Sequence, residues 1–204
     1  MRYAIYLRSA ALFALLLAGL NEIRGGEFNS RLNIGDAAPA WKELVGVDDK
    51  QHALADLQKA KLVVVVFTAN SCDVATDYED RVNDFAKKHK ADVAVVAINV
   101  SKKPADSLAN MKRRAEEKKF AFPYLSDPSQ AIGKAYGANY TPEFFLLDGK
   151  RRIVYMGSMD DSTYADRVKE NYLEDAVAAV LKGLEPPVAE TAPRGCRIRY
   201  PRSR

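Results

Sequence analysis

Residues 63–72, VVVVFTANSC, constrain the fold of this chain more than any other stretch. Four valines and a phenylalanine in succession leave no polar face, so the segment reads as a strand covered on both sides. A strand of that kind needs elements packed above and below it, which points to an α/β architecture. The strand then passes through small polar residues to Cys72. The chain holds two cysteines, and the second, Cys196, lies in the C-terminal tail.

The rest of the pattern extends the same reading. Val74, Tyr78, Val82 and Phe85 form one apolar stripe, predicting a helix from about Cys72 to His89. DVAVVAINV, residues 92–100, reads as a second buried strand. Pro104 suits the first turn of the next helix, whose inner face is Leu108, Met111 and Ala115. A short helix ends near Gly137, and residues 144–156 read as a hairpin turning at Asp148-Gly149. A last helix is expected from about Thr163 to Gly183, with Val168, Tyr172, Ala176, Val180 and Leu184 inward. The order β-α-β-α followed by β-β-α predicts a central mixed sheet flanked by helices on both faces.

The 204 residues suffice for one domain with a full core. The formal charge of +4 sits at the two ends. Residues 186–204 carry five arginines and one glutamate, and residues 1–25 carry three arginines and one glutamate, which leaves the body near −2. Such a body gives no electrostatic basis for nucleic-acid binding. The arginine tail reads most simply as a solvated end. Arg2 and Arg8 ahead of AALFALLLAGL resemble the charged and apolar regions of a secretory signal, with cleavage expected near Gly25–Gly26 and an uncleaved anchor as the alternative. The expected organisation is a signal peptide at 1–25, a domain at 26–185 and a Pro/Arg-rich tail at 186–204. The mature protein is then exported, periplasmic or extracellular, and free of the membrane. Two cysteines in an oxidising compartment can persist as a disulfide.

Cys72 stands where a buried strand hands over to a helix N-terminus. Unpaired N–H groups there favour an anion, hence a thiolate able to act as a nucleophile. The competing interpretation is a buried inert cysteine, which is common. Placement after the strand favours the nucleophile, while Asp73 and Asp77 oppose it. His52 and His89 read as solvated side chains, and Asp160-Asp161 as a turn and a helix cap. No metal site and no cofactor are expected.

VVVVFTANSC, INV closing the next strand, and Thr141-Pro142 before EFFLL together resemble the thioredoxin superfamily. IGDAAPAW, YEDRVNDFAKKH, YTPEFFLLD and the tail AETAPRGCRIRY narrow the resemblance to its redoxin group of exported, peroxiredoxin-like proteins (alkyl hydroperoxide reductase/thiol-specific antioxidant). The resemblance implies a thioredoxin-like fold. It places Cys72 on the nucleophilic cysteine, with Thr68, Asn70 and Ser71 in its loop. It places Thr141-Pro142 on the loop whose proline is cis and whose preceding backbone pairs with an extended substrate. The partners it implies are protein thiols and disulfides or small peroxides, with an unidentified reductant.

The departures from the family pattern are specific. The second cysteine of a Cys-x-x-Cys would be residue 75, which is Ala75. Peroxiredoxins place Thr three residues and Pro seven residues before the thiol, where this chain has Ala69 and Val65. Neither an efficient peroxidase nor an ordinary dithiol reductase is expected. A Cys72–Cys196 disulfide is expected instead, because the resembling family carries a glycine-cysteine pair in its tail; a disordered tail with a free thiol is the rival. The functional expectation is a thiol-based redox protein in which Cys72 attacks a peroxide or disulfide and Cys196 resolves. The alternative is a redox-inactive module stapled by the same bridge.

Overall fold

The computed structural model describes residues 26–201, and the expected signal segment at 1–25 lies outside the described residues. The valine run forms β3 (Leu62–Thr68), and β4 (Val93–Asn99) pairs with it in parallel, Leu62 opposite Val93 and Thr68 opposite Asn99. Between them runs α1 (Asp73–His89). β7 (Glu143–Leu147) lies antiparallel on the other side of β3, with β8 (Ile153–Gly157) beyond it. β5 (Tyr124–Ser126) adds in parallel to β4, and β1 (Leu44–Gly46) with β2 (Gln51–His52) closes that edge. The sheet thus has seven strands in the order β2-β1-β5-β4-β3-β7-β8. It is mixed, as the sequence predicts.

The two-residue period of a strand explains why the run is apolar throughout. Leu62, Val64 and Val66 face one core with Tyr78, Val82 and Phe85 of α1, Met111 of α2 (Leu108–Lys118), and Leu173, Ala176 and Val177 of α4 (Tyr172–Leu181). Val63, Val65 and Phe67 face the other core with Trp41, Leu54, Phe145, and Tyr136 of α3 (Ala131–Tyr136). None of residues 62–67 is more than 3% exposed, so each contributes about 1.5–3 kcal/mol of burial. Helices do cover both faces, but unequally: α1, α2 and α4 lie on one, and α3 with the N-terminal segment on the other.

Several expectations are revised. Pro104 opens a three-residue 3-10 turn, and α2 starts only after Ser107. The last helix is α4 alone: Tyr172, Ala176 and Val180 pack on the core as expected, joined by Leu173 and Val177, but Val168 precedes the helix and Leu184, beyond its end, is 63% exposed. The cause of the late start is Asp161. Its carboxylate accepts the N–H groups of Lys169 and Glu170, closing residues 161–170 as a loop that competes with a helix. Its neighbour Asp160 does sit in a turn, accepting the Ser162 N–H at 3.2 Å, but it also has partners the sequence did not show. It is buried, accepting from Tyr78 Oη at 2.9 Å and from Arg81 Nη1 at 2.5 Å. His89 is not simply solvated either: it packs on Phe85 and pairs with Glu174.

Candidate redox site

Cys72 is the N-cap of α1. Its backbone is still extended (φ −113°, ψ 108°), and its Sγ accepts the Ala75 N–H at 3.3 Å. The helix therefore aims its unpaired N–H end at this sulfur. Asp73 and Asp77, the expected opposing charges, are exposed, so water and salt weaken their effect. Cys72 itself is 1% exposed.

The partner sulfur comes from Cys196, 124 residues along the chain. The two are joined as a disulfide, with Cα atoms 5.8 Å apart, well within the ordinary range. Ala75, where a Cys-x-x-Cys would place its second thiol, is a buried methyl in the same apolar cluster. The tail thus supplies what position 75 lacks.

The Thr141–Pro142 peptide is cis. The two residues before the proline, β6 (Tyr140–Thr141), pair antiparallel with β9 (Cys196–Arg197), Thr141 opposite Cys196 and Tyr140 opposite Arg197. The Thr141 carbonyl oxygen lies 2.9 Å from Cys72 Sγ, and Thr141 Oγ1 donates to the Cys196 carbonyl at 3.4 Å. The tail is therefore an added strand laid on the cis-proline loop, and it occupies the edge that the family resemblance assigns to an extended substrate. Ile198 packs against the core while Arg197 and Arg199 face out, the alternation of a strand. Further contacts hold it: the Ile198 N–H donates to the Asn139 carbonyl at 2.8 Å, and Tyr200 Oη to the Ala138 carbonyl at 2.7 Å. Upstream, Thr191 donates to the Met156 carbonyl, and Ser158 Oγ to the Ala192 carbonyl, so the tail is pinned to β8 as well.

Gly195 is required by this docking. A Cβ there would collide with the Thr141 carbonyl oxygen and press on Pro142 Cδ at 3.1 Å. Gly195→Ala is expected to lift β9 from β6 and prevent bridging. Alkylation of the denatured variant, isolated without reductant, should label two thiols where the parent protein labels none. A fully bridged variant would show that the close approach is dispensable.

The other expected site residues divide by role. Ser71 and Thr141 stand at the bridge, on the side of a cavity also lined by Cys72 and Cys196. Thr68 and Pro142 line a different pocket, with Tyr78 and Tyr124. Asn70 turns away: it donates to the Ala105 carbonyl and accepts from Tyr124 Oη at 2.8 Å. It belongs to a polar support that sequence reasoning missed. Asn99 donates to Asp106 at 2.9 Å, and Asp106 in turn accepts the Ser71 N–H at 3.3 Å. Burial pushes the Tyr124 hydroxyl well above its usual range, keeping it a neutral donor in this support. Glu143 was also missed. It is buried directly after the cis-proline and accepts the N–H groups of Asn139 and Tyr140 at 2.7 and 3.0 Å. Burial raises its carboxyl to about 7, with the two N–H groups opposing and the charge of Glu190 adding.

The redoxin family profile matches residues 33–175, well over half of the chain. A candidate peroxiredoxin of Mycobacterium tuberculosis is 32% identical over 113 residues, covering 53% of this chain and 66% of that protein, just under two thirds of its length. Solved structures of a hypothetical protein from Sinorhizobium meliloti and an uncharacterised conserved protein from Geobacillus kaustophilus are each 31% identical, with a TM-score of 0.79. Each covers 86% of this chain, and the match spans 98% and 96% of those chains respectively. A peroxidoxin, a thioredoxin-like protein and a candidate thiol:disulfide interchange protein, at 22, 23 and 25% identity, share the fold. A strand–thiol–helix unit, a cis-proline loop and a matching profile over most of the domain lead to one conclusion: the chain belongs to the redoxin family and has a thioredoxin-like fold.

Proposed function

We propose that this is an exported dithiol–disulfide redox protein in which Cys72 is the nucleophile and Cys196 the resolving thiol. The observation that carries the reading is the docking of Cys196 on the cis-proline loop with its sulfur on Cys72. In the reduced protein, the Cys72 thiolate attacks one sulfur of a substrate disulfide. The far substrate sulfur leaves as a thiolate, and a mixed disulfide on Cys72 remains. Cys196, deprotonated, then attacks Cys72 Sγ, expelling the second substrate thiolate and closing the bridge. The substrate gains two electrons and the protein loses two. Export is supported by the sequence of residues 1–25 and by the persistence of disulfides in oxidising compartments.

A peroxide is the second substrate reading, favoured by the likeness to a candidate peroxiredoxin. Attack would give a sulfenic acid on Cys72 that Cys196 resolves with loss of water. Ala69 offers a methyl where a peroxide-orienting hydroxyl would stand, and orientation supplies much of such a rate.

The test is a Cys196→Ser variant. It is expected to accumulate mixed disulfides on Cys72 with disulfide-bearing proteins, whereas Cys72→Ser should not trap those proteins. Redox titration supplies the second arm. A catalytic bridge should equilibrate with buffers in the range of known dithiol oxidoreductases, whereas a structural staple should lie below roughly −300 mV. No trapped species together with a staple-like potential would overturn the reading.

A further inference from the structure

We propose that a small anionic thiol reopens the bridge, entering the cavity beside it and attacking Cys196. This rests on the dithiol–disulfide cycle above and names its reductant. The cavity measures about 530 Å³ and exposes the bridge on one wall. That volume is in the range that accepts small molecules. Its lining includes Lys102, Lys103, Arg197 and Arg199, with Ser71 and Ser101 between them, and no carboxylate. The lysines follow β4, while the arginines belong to the tail. The basic wall is thus complete only while β9 is docked, so it recruits an anion to the bridged form and disperses once the tail lifts.

Gln130 adds an independent observation. It is 2% exposed, lines the same cavity, and has a left-handed backbone (φ 62°) that is uncommon for a residue with a side chain. Its Nε2 donates to the Val100 carbonyl at 2.8 Å and the Arg199 carbonyl at 3.3 Å. Its Oε1 has no hydrogen-bond partner among the described residues. A buried acceptor left unpaired is costly, so this wall of the cavity is polar and not fully satisfied. The reductant that fits the cavity carries a thiol and negative charge.

Accessibility fixes the point of attack. Cys72 is buried, whereas Cys196 is half-buried on the cavity side. The thiolate of the reductant bonds to Cys196 Sγ, the bridge breaks, and Cys72 leaves as a thiolate received by the Ala75 N–H and the end of α1. A second thiolate of the same kind attacks the reductant's sulfur in the adduct. The reductant departs as its own disulfide, and the Cys196 thiolate takes a proton from water. Two thiols thereby supply the two electrons.

The test measures bridge reduction in the full-length protein by three thiols of similar size: 2-mercaptoethanesulfonate, 2-mercaptoethanol and cysteamine. At equal thiolate concentration, the anion is expected to react roughly tenfold faster than the neutral thiol, and the cation slower still. The spread should collapse in 1 M salt and in Lys102→Glu/Lys103→Glu. N-ethylmaleimide quenching during reaction should find the sulfonate adduct on Cys196 and maleimide on Cys72. Equal rates for the three thiols, or an adduct on Cys72, would overturn the proposal while leaving the cycle intact. A bridge that resists even dithiothreitol would instead overturn the cycle itself.

Discussion

Reducing the Cys72–Cys196 bridge is expected to lower the free energy of unfolding by about 5 kcal/mol, the loss predicted by the chain-entropy account for a loop of this length. The bridge closes a segment spanning 124 residues, so it removes a large share of the conformations open to the unfolded chain. The folded domain keeps both cores on reduction, since the bridge sits in a small separate cluster with Ala69, Val74 and Ala75. The loss should therefore appear as a lower denaturant midpoint with a single cooperative transition retained. Urea unfolding of the oxidised and reduced protein, followed by far-ultraviolet circular dichroism, measures it. A difference under about 1 kcal/mol would mean that the reduced unfolded chain is already restricted, contrary to the loop-closure argument.

The second large effect is a fall in stability between mildly acidic and neutral pH, traceable to Glu143. An unfolded glutamate ionises near its model value of 4.5, whereas the folded carboxyl does so at about 7. Between these values the folded state binds the extra proton, so raising the pH favours unfolding. The stabilisation is fully present below 4.5, is lost as the pH rises through about 7, and totals about 3 kcal/mol for this group. Glu143→Gln keeps an oxygen for the Asn139 and Tyr140 N–H groups and should flatten the slope. Denaturant midpoints at pH 5, 6, 7 and 8 for both proteins give the comparison. An unchanged slope in the variant would assign the effect to other groups. Because Asn139 also receives the Ile198 N–H, loosening here should reach the docked tail.

Much of this was readable from the chain. A five-residue apolar run admits only a doubly covered strand, and the cysteine after it has only one cysteine to meet. The tail motif ending in CRIRY alternates apolar and charged residues, as a strand does. What stayed hidden depends on three-dimensional neighbours. Asp161 looks like a helix cap in sequence, yet it intercepts the N–H groups of residues eight and nine positions on, and the expected helix shortens. Asp160 looks like its twin but is buried against Arg81 and Tyr78, some eighty residues away. Gln130 joins the site through a left-handed backbone that its residue type does not advertise. Lys102 and Lys103 gain meaning only when two tail arginines arrive beside them.

The double pinning of the tail has a kinetic consequence. Thr191 stays fastened to β8 by contacts that do not involve the bridge, and Cys196 follows five residues later. Such a leash reaches at most about 17 Å, so an opened Cys196 never drifts far from Cys72. Its effective concentration there falls in the millimolar range or above, as for any thiol on a short tether. A mixed disulfide on Cys72 is therefore resolved from within unless an outside thiol is present at comparable abundance. Lengthening the segment between Pro193 and Gly195 would prolong the life of captured partners without altering a single group that touches them.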